Sequence, residues 1–213
     1  MEKINFYKII FLIVSFQITI GINSTQAQKE HIAYDTIIGT KIYRVNANYL
    51  LISYGVGFNF RQHNSEQAGS VFYTFRIKNS FFRVGYSVVS RHFVLSRTLQ
   101  KINDIAVLYG KRIETDKANL SFFIGPSLSY GTYFYYKDPI SSFKIYHSFS
   151  KLGLYSELEL TKKIFYDIGI GTSLFATFNN GYTRYYTKTS PFYGAVGVKL
   201  NIYFSGAYRG DYR

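Results

Sequence analysis

The chain has 213 residues, which suggests one domain or two small ones, and no Cys, which excludes a disulfide framework and any metal site built from thiolates. Lys and Arg number 25 against 12 Asp and Glu, and aromatic residues make up 20% of the chain, as Tyr and Phe without any Trp. Because Tyr is amphipathic, this composition suits the boundary between a membrane and water.

The N-terminus predicts export. Lys3 and Lys8 form a positively charged region before an apolar stretch, Ile9–Ile20, which is too short to span a membrane as a helix. Thr25-Gln26-Ala27 then places small residues at the positions that a signal peptidase recognises. Residues 1–27 are therefore predicted to be a secretory signal peptide; the alternative is a retained membrane anchor. No later segment is apolar over about 18 residues, so no transmembrane helix is predicted.

Eight segments further along the chain alternate apolar and polar residues with the period of two that a β-strand has. The alternation is clearest in the last, where Val198 and Leu200 would share one face and Lys199 and Asn201 the other. Most segments reach the roughly 9–11 residues that cross a bilayer as a tilted strand. The predicted strands are Tyr49–Phe60, Ser70–Lys78, Phe81–Ser90, Ile102–Ile113, Leu120–Tyr135, Lys151–Leu160, Ile164–Phe175 and Phe192–Phe204.

The connections between these strands alternate between longer and tighter ones, which is typical of a transmembrane barrel with long external loops and short periplasmic turns. The sequence therefore predicts an all-β fold, a closed eight-stranded antiparallel up-and-down transmembrane β-barrel over residues 47–204. Residues 28–46 would be a periplasmic lead-in with room for a short strand, and residues 205–213 a periplasmic tail. A soluble sandwich or lipocalin-like barrel would share the alternation but would need neither this strand length nor the alternating loops.

The strands YLLISYGVGFNF, SFFIGPSLSYG and YGAVGVKLNIYF are interrupted by Gly, and the last ends in an aromatic residue. In this pattern the chain resembles the small outer-membrane β-barrels of Gram-negative bacteria, both the OmpA/OmpX-type eight-stranded barrels and the PorT-like barrels. The resemblance implies an outer-membrane location with both termini periplasmic, and recognition of the last strand by the outer-membrane assembly machinery. It rests on no unique motif, so it implies fold and location rather than an activity.

The polar face of the strands would line the lumen and carries charge. We expect paired charges there that plug the barrel, because an eight-stranded barrel leaves little room for water; the alternative is a proton or ion path. Lys199 would be the nearest partner of Asp167. Asp104 is a further charged lumen candidate, and the expected network near the periplasmic turns consists of Arg76, Arg83, Glu157, Glu159, Asp167 and Lys199.

The four outer connections are strongly basic and rich in Tyr. Against two anions, Glu66 and Asp138, they carry nine cations: Arg61, Arg91, Arg97, Lys101, Lys137, Lys144, Lys151, Arg184 and Lys188. This rim could bind the phosphates of lipopolysaccharide, or it could be a merely solvated cationic surface. Nucleic acid is not an expected partner, because the compartment is wrong and no recognition fold appears.

Three function classes follow. The first is a structural or interaction protein of the outer membrane, and the second is an accessory subunit of a secretion or surface-attachment complex in the envelope. The third is a rim enzyme on outer-leaflet lipid, for which His147, Ser148 and Ser150 are present but no carboxylate lies in reach. No catalytic residue, metal site or cofactor is predicted.

Overall fold

The computed structural model describes residues 34–38, 41–45, 47–60, 64–77, 80–91, 101–115, 117–136, 144–165, 167–180 and 192–205. Within these ranges no helix is long and apolar enough to cross a membrane. The predicted signal peptide and the tail beyond Ser205 lie outside the described residues. The strands are β1 (Tyr34–Ile38), β2 (Lys41–Val45), β3 (Tyr49–Asn59), β4 (Asn64–Ile77), β5 (Ser80–Ser90), β6 (Lys101–Glu114), β7 (Ala118–Tyr136), β8 (Lys144–Lys163), β9 (Ile168–Asn180) and β10 (Phe192–Phe204).

Strands β3 to β10 form a closed barrel in which neighbours are antiparallel and, apart from the closing pair, consecutive in the chain. The barrel closes where β10 pairs with β3, from Ala195 opposite Asn59 to Phe204 opposite Leu50. Closure gives every strand two partners and removes the sheet edges. The predicted closed, eight-stranded, all-antiparallel barrel is therefore confirmed.

The register fixes the tilt of the strands. A path drawn at right angles to the strands from Tyr203 crosses the seven other strands and returns to β10 at Tyr193, ten residues earlier. With strands about 4.8 Å apart and a rise of about 3.3 Å per residue, this stagger gives a tilt of about 40°. A barrel of this size has an interior that side chains just fill.

Apolar side chains cover the outside of the barrel, which reverses the usual arrangement of a soluble protein. On β3, Ile52 and Val56 point outward, with 42% and 60% of their surface exposed, whereas Leu51 and Ser53 point inward and are buried. The other barrel strands alternate in the same way over their central parts. The outer face is a continuous apolar band, and the inner face mixes polar, charged and aromatic side chains.

Two strands extend into segments that the sequence predicted as loops. β4 begins at Asn64 instead of Ser70, and β8 begins at Lys144 instead of Lys151. These added residues are mostly polar, so they lack the apolar alternation that identifies a strand. Polar residues are nevertheless compatible with a strand here, because one face of the strand lines the lumen and the other lies beyond the apolar band that contacts lipid.

The connection between β8 and β9 lies later in the chain than predicted. β8 continues to Lys163, and the turn is closed by the backbone N–H groups of Ile164 and Phe165, which donate to the carbonyl of Ile168 at 2.9 and 3.0 Å. The end of the barrel that carries this turn, together with the connections at 78–79 and 115–117, is called the short-turn end below. The opposite end is the loop end.

Pro126 interrupts one ladder locally. β6 and β7 pair at Ala106 with Ser127, and pairing resumes at Tyr109 with Ile124. The two positions between are not paired, as expected for a residue without a backbone donor. Pro126 still lies opposite Leu154 of β8, so the barrel remains closed around it.

Two inward glycines make room for one aromatic ring. A Cβ at Gly57 would lie 2.9 Å from Cζ of Phe175, and a Cβ at Gly197 would lie 2.7 Å from its Cε1. Both distances are below normal van der Waals contact. The Gly-interrupted strands therefore have a packing reason here, since the gaps in β3 and β10 accept the Phe175 ring from β9, the strand next to β10.

The lead-in before the barrel contains two short strands, where the sequence suggested one at most. β1 and β2 form an antiparallel hairpin from Tyr34 opposite Val45 to Ile38 opposite Lys41. They make a separate two-stranded sheet and are not members of the barrel order.

Candidate functional site

Four charged side chains meet inside the barrel and are called the lumen ion network: Arg83 on β5, Glu157 and Glu159 on β8, and Lys199 on β10. All four are at most 1% exposed. Nη1 of Arg83 lies 3.3 Å from Oε2 of Glu157, while its Nη2 contacts Glu159. Nζ of Lys199 lies 2.9 Å from Oε1 of Glu157. Two cations face two anions, so the buried charge is balanced.

Arg83 is the centre of this network. Besides both glutamates, its Nε donates to Oγ1 of Thr74 at 2.9 Å, and its Nη2 donates to the hydroxyl of Tyr49. The guanidinium carbon lies 3.8 Å from the centroid of the Phe123 ring, which is within stacking distance. A planar group with several donors suits such a site better than a point charge would.

Lys199 closes the other side of the network. Its ammonium donates to Oγ of Ser70 at 2.8 Å and to the hydroxyl of Tyr155 at 3.0 Å, in addition to its contact with Glu157. Three acceptors match the three N–H groups of an ammonium. The Phe175 ring lies 4.8 Å from Nζ and covers it from another side.

Neutral side chains hold the two carboxylates. Oγ of Ser173 donates to Oε1 of Glu157 at 2.7 Å, and Oγ1 of Thr161 donates to Oε1 of Glu159 at 2.8 Å. The hydroxyl of Tyr49 lies 3.3 Å from Oε2 of Glu159. Each buried carboxylate thus has both a cation and hydroxyl donors, which is the condition for burying charge without a large loss of stability.

A second group of charges lies at the short-turn end. Glu114 accepts from Nη1 of Arg112 at 3.2 Å and from Nζ of Lys163 at 2.6 Å. The Arg112 guanidinium lies between two rings, 4.5 Å from the Tyr49 centroid and 4.3 Å from that of Phe81. It also donates to the backbone carbonyl of Ala47, at 3.3 Å. This contact fixes the chain where it enters β3.

Asp104 lies toward the loop end of the lumen and is 1% exposed. It accepts hydrogen bonds from the hydroxyls of Ser129 and of Thr177, the latter at 3.1 Å. In the part of the chain that the structure describes, Asp104 forms no salt bridge. The interior salt bridges described above therefore lie in the lumen ion network and the short-turn group.

The structure brings together four of the six residues that the sequence placed in a lumen network. Arg76 is half-buried near the short-turn end, with its guanidinium 5.8 Å from the Phe81 ring. Asp167 lies in the turn before β9, and the expected pairing of Lys199 with Asp167 is wrong. Lys199 is in register with Ser173, six residues beyond Asp167, and contacts Glu157 instead. The expectation used the fact that β9 and β10 are neighbours but did not use their register, which sets which residues lie side by side.

Sequence reasoning missed the short-turn group of Arg112, Glu114 and Lys163. A signal was present, because Arg112 shares the inward parity of Asp104 on β6, and Lys163 shares that of Glu159 on β8. Glu114 and Lys163 were missed because the predicted turns begin before the strands end, whereas Arg112 lies inside the predicted strand Ile102–Ile113, where its inward parity could have been used. A lumen-facing position in the last residues of a strand cannot be distinguished from a turn by apolar alternation alone.

The structure describes only part of the predicted basic rim. Arg91 is exposed, and Lys101 and Lys151 are half-exposed near the loop ends of β6 and β8. Lys144 belongs to β8 rather than to a loop, and its side chain lies outside the described residues. The other five predicted rim cations also lie outside the described residues: Arg61, Arg97, Lys137, Arg184 and Lys188.

No metal centre is found in the described ranges, where no group of three His, Cys, Asp or Glu side chains could hold an ion. The rim residues weighed for catalysis are only partly described. Ser148 and Ser150 are exposed on β8, and the side chain of His147 lies outside the described residues.

Solved structures similar to this barrel include Neisserial surface protein A (NspA), with a TM-score of 0.55 and 10% identity over 75% of this chain and 97% of that one. All of the structures named here are eight-stranded outer-membrane barrels. The chain has the fold of the small outer-membrane β-barrels. That fold is consistent with an outer-membrane location, and at this identity it assigns no residue a role.

Two further structures are similar. Ail, the attachment invasion locus protein of Yersinia pestis, solved with the heparin analogue sucrose octasulfate, has a TM-score of 0.47 and 12% identity over 75% of this chain and 99% of its own. The N-terminal β-barrel domain of Pseudomonas aeruginosa OprF has a TM-score of 0.43 and 9% identity over 75% and 98%. No family model matches the chain, and no curated protein sequence matches it either.

Proposed function

We propose that the protein is an integral outer-membrane barrel with a lumen filled by side chains, which acts as a structural or interaction protein and not as a channel. One observation carries this proposal. The large inward side chains at the level of the lumen ion network, Arg83, Phe123, Phe175 and Lys199, are at most 2% exposed. A pore wide enough for water would leave surface on the side chains that line it, so a barrel packed in this way has no conducting path at that level.

The apolar band supports the placement in a membrane. An 11-residue strand tilted by about 40° spans about 28 Å, close to the hydrocarbon thickness of a bilayer. Hydrocarbon offers backbone groups no hydrogen bonds, and a closed barrel needs none from it. In this placement the short-turn end and both ends of the barrel domain face the periplasm, and the loop end faces outward.

In this proposal the outer rim is the surface that binds partners. Of the nine cations that the sequence predicts there, Arg91 and Lys151 lie at the loop end with accessible surface. Glu66, one of the two predicted rim anions, is instead buried on β4 and accepts a hydrogen bond from Asn59 at 3.2 Å. Guanidinium and ammonium groups bind phosphates well, so the phosphates of lipopolysaccharide are the partner that this charge favours. An envelope protein complex is the other partner to test.

The central experiment measures conduction by the purified barrel in planar bilayers. We expect little or no steady current, together with heat-modifiable migration on gels and fractionation with outer membranes. A large, steady single-channel conductance would overturn the filled lumen, and recovery as a soluble periplasmic protein would overturn the membrane placement. Co-purification of a stoichiometric partner after mild detergent extraction would favour the role of accessory subunit.

A further inference from the structure

Three lysines lie on the outer face of the barrel at its short-turn end. Lys111 is on β6, Lys117 is in the turn between β6 and β7, and Lys162 is near the end of β8. Lys111 shares the outward parity of Tyr109 and Ile113, so its Cβ points away from the lumen. Lys117 and Lys162 are exposed and Lys111 is half-buried. We call these three residues the lysine patch.

The stagger of the barrel brings the patch to one level. Lys111 lies opposite Phe122 on β7, and Lys162 lies opposite Ala118, four residues nearer the turn. A path at right angles to the strands rises by ten residues in one circuit of eight strands, so it climbs about 2.5 residues between β6 and β8. The remaining offset is about 1.5 residues, or about 4 Å along the barrel axis.

Lys163, the residue after Lys162, differs from it in both orientation and pairing. Lys163 points into the barrel and is paired with Glu114 at 2.6 Å. Within the described part of the chain, no salt bridge includes Lys111, Lys117 or Lys162. Among the described residues, the patch is therefore positive charge without a salt-bridge partner.

The surroundings of the patch are apolar. Ile113, 71% exposed, follows Lys111 on the outer face, and Phe165, 59% exposed, follows Lys162 in the next turn. On the opposite side of the barrel, the corresponding outward residue of β3 is Leu50, an apolar residue. Ammonium groups on long stems that start inside an apolar band extend to its edge, where the headgroups of a bilayer lie.

We infer that the lysine patch binds the phosphates of anionic phospholipids in the periplasmic leaflet, an inference that rests on the membrane placement proposed above. The charge is complementary, the level is the boundary of the apolar band, and Phe165 and Ile113 supply apolar contact for the adjoining acyl chains. A lysine near an anionic membrane surface contributes about fivefold to lipid binding. The patch would hold such lipids on the β6–β8 side of the barrel.

The test uses the absence of Trp from the chain. A single Trp is introduced as Phe165→Trp beside the patch or as Leu50→Trp on the opposite side. Each barrel is folded into phosphatidylcholine vesicles with a minority of phosphatidylglycerol, and quenching by brominated phosphatidylglycerol is compared with quenching by brominated phosphatidylcholine. We expect the ratio of apparent binding constants to be about 5 or more at Phe165→Trp and about 1 at Leu50→Trp.

Charge-matched variants decide whether the lysines are responsible. In the Phe165→Trp barrel, the triple change K111Q/K117Q/K162Q should lower the ratio to about 1, whereas K111R/K117R/K162R should retain it. A ratio near 1 at Phe165→Trp, or one that the glutamine variant leaves unchanged, overturns the inference.

Quenching by brominated phosphatidylcholine serves as the check on insertion. A Trp that this lipid quenches, in a barrel with heat-modifiable migration, is in a bilayer, so a missing preference then counts against the lysine patch alone. A Trp that neither lipid quenches counts against the membrane placement itself. A ratio equally high at Leu50→Trp would also overturn the inference, because the preference would then belong to the barrel as a whole.

Discussion

Lys199 and Glu157 form a salt bridge across β9: Nζ of Lys199 on β10 lies 2.9 Å from Oε1 of Glu157 on β8, and neither side chain has accessible surface. Ser173, on the strand between them, donates to the same carboxylate oxygen at 2.7 Å. The bridge thus links three consecutive strands through one carboxylate. Arg83 then connects that carboxylate to β5, on the other side of the lumen.

The first prediction concerns Lys199→Met. The change leaves Glu157 buried with one cation in place of two, and loss of one partner from a buried pair costs about 3–5 kcal/mol. Because Arg83 remains 3.3 Å from Glu157, we expect the lower end of that range. The measurement is urea unfolding of the barrel in lipid vesicles.

Lys188→Met is the matched control for this change, since it removes the same charge from a segment that the sequence predicts to be an external loop, where water and salt would screen it. It should cost less than about 1 kcal/mol. Equal costs for the two variants would contradict the stabilising role of the Lys199 contact. In a double-mutant cycle Lys199 should couple to Glu157 and not to Asp167.

The second prediction concerns Arg83. Arg83→Met removes the cation shared by Glu157 and Glu159, so two carboxylates lose a partner at once. We expect a larger loss of stability than for Lys199→Met, and we expect Arg83→Lys to restore only part of it, because an ammonium cannot reach both carboxylates and Thr74 from one position.

Neutralising Glu157 and Glu159 tests whether unpaired buried carboxylates cause the loss of stability. In the Arg83→Met background, the double change E157Q/E159Q should recover stability, since it removes the unpaired buried charge. Unfolding in vesicles gives the order of the variants. If the glutamine changes lowered stability further in that background, charge repulsion would not be the cause of the loss.

How much the sequence could predict differs between strands and contacts. The bounds of β10 were predicted correctly and those of β3 to within one residue, because Phe192–Phe204 and Tyr49–Asn59 alternate over their whole length. The first residues of β8 were missed because Lys144–Ser150 is mostly polar and its alternation carries little apolar signal.

Contacts inside the lumen were harder to predict than strands. The alternation of odd and even positions along a strand predicts which residues face inward, and it correctly predicted that Glu157, Glu159 and Lys199 lie on the inner face. Parity does not give the register, and the contact of Lys199 with Glu157 depends on the registers of β10 with β9 and of β9 with β8. Alternation of apolar residues is the same for every register that keeps the faces, so it does not select one.

The third prediction compares two outward positions at different depths. Val198 lies in the middle of β10, opposite Val56 and Leu174, whereas Ile168 is the first residue of β9, opposite Phe204. Arg on the lipid face costs about 2–4 kcal/mol at the bilayer midplane and about 0–1 near the interface. Val198→Arg should therefore destabilise the barrel far more than Ile168→Arg.

Folding yield and urea unfolding in vesicles of fixed thickness measure both variants of this pair. Vesicles of a thinner bilayer provide a control, because thinning should reduce the cost at Val198 as it brings the interface nearer. Similar costs at the two positions in both bilayers would contradict the depth assigned to β10.

The last prediction concerns the space left by Gly57. A Cβ there would lie 2.9 Å from Cζ of Phe175, its nearest neighbour, so Gly57→Leu would overpack the lumen around that ring. Overpacking typically costs about 1–3 kcal/mol. Phe175 also covers the ammonium of Lys199, at 4.8 Å, so displacement of the ring would disturb the lumen ion network as well.

Phe175→Ala should cost stability by itself through a cavity, yet in the Gly57→Leu barrel it should be less harmful, because leucine then fills the space that the ring leaves. Unfolding of the two single variants and the double variant measures this coupling, and additive losses would mean that Gly57 does not make room for Phe175.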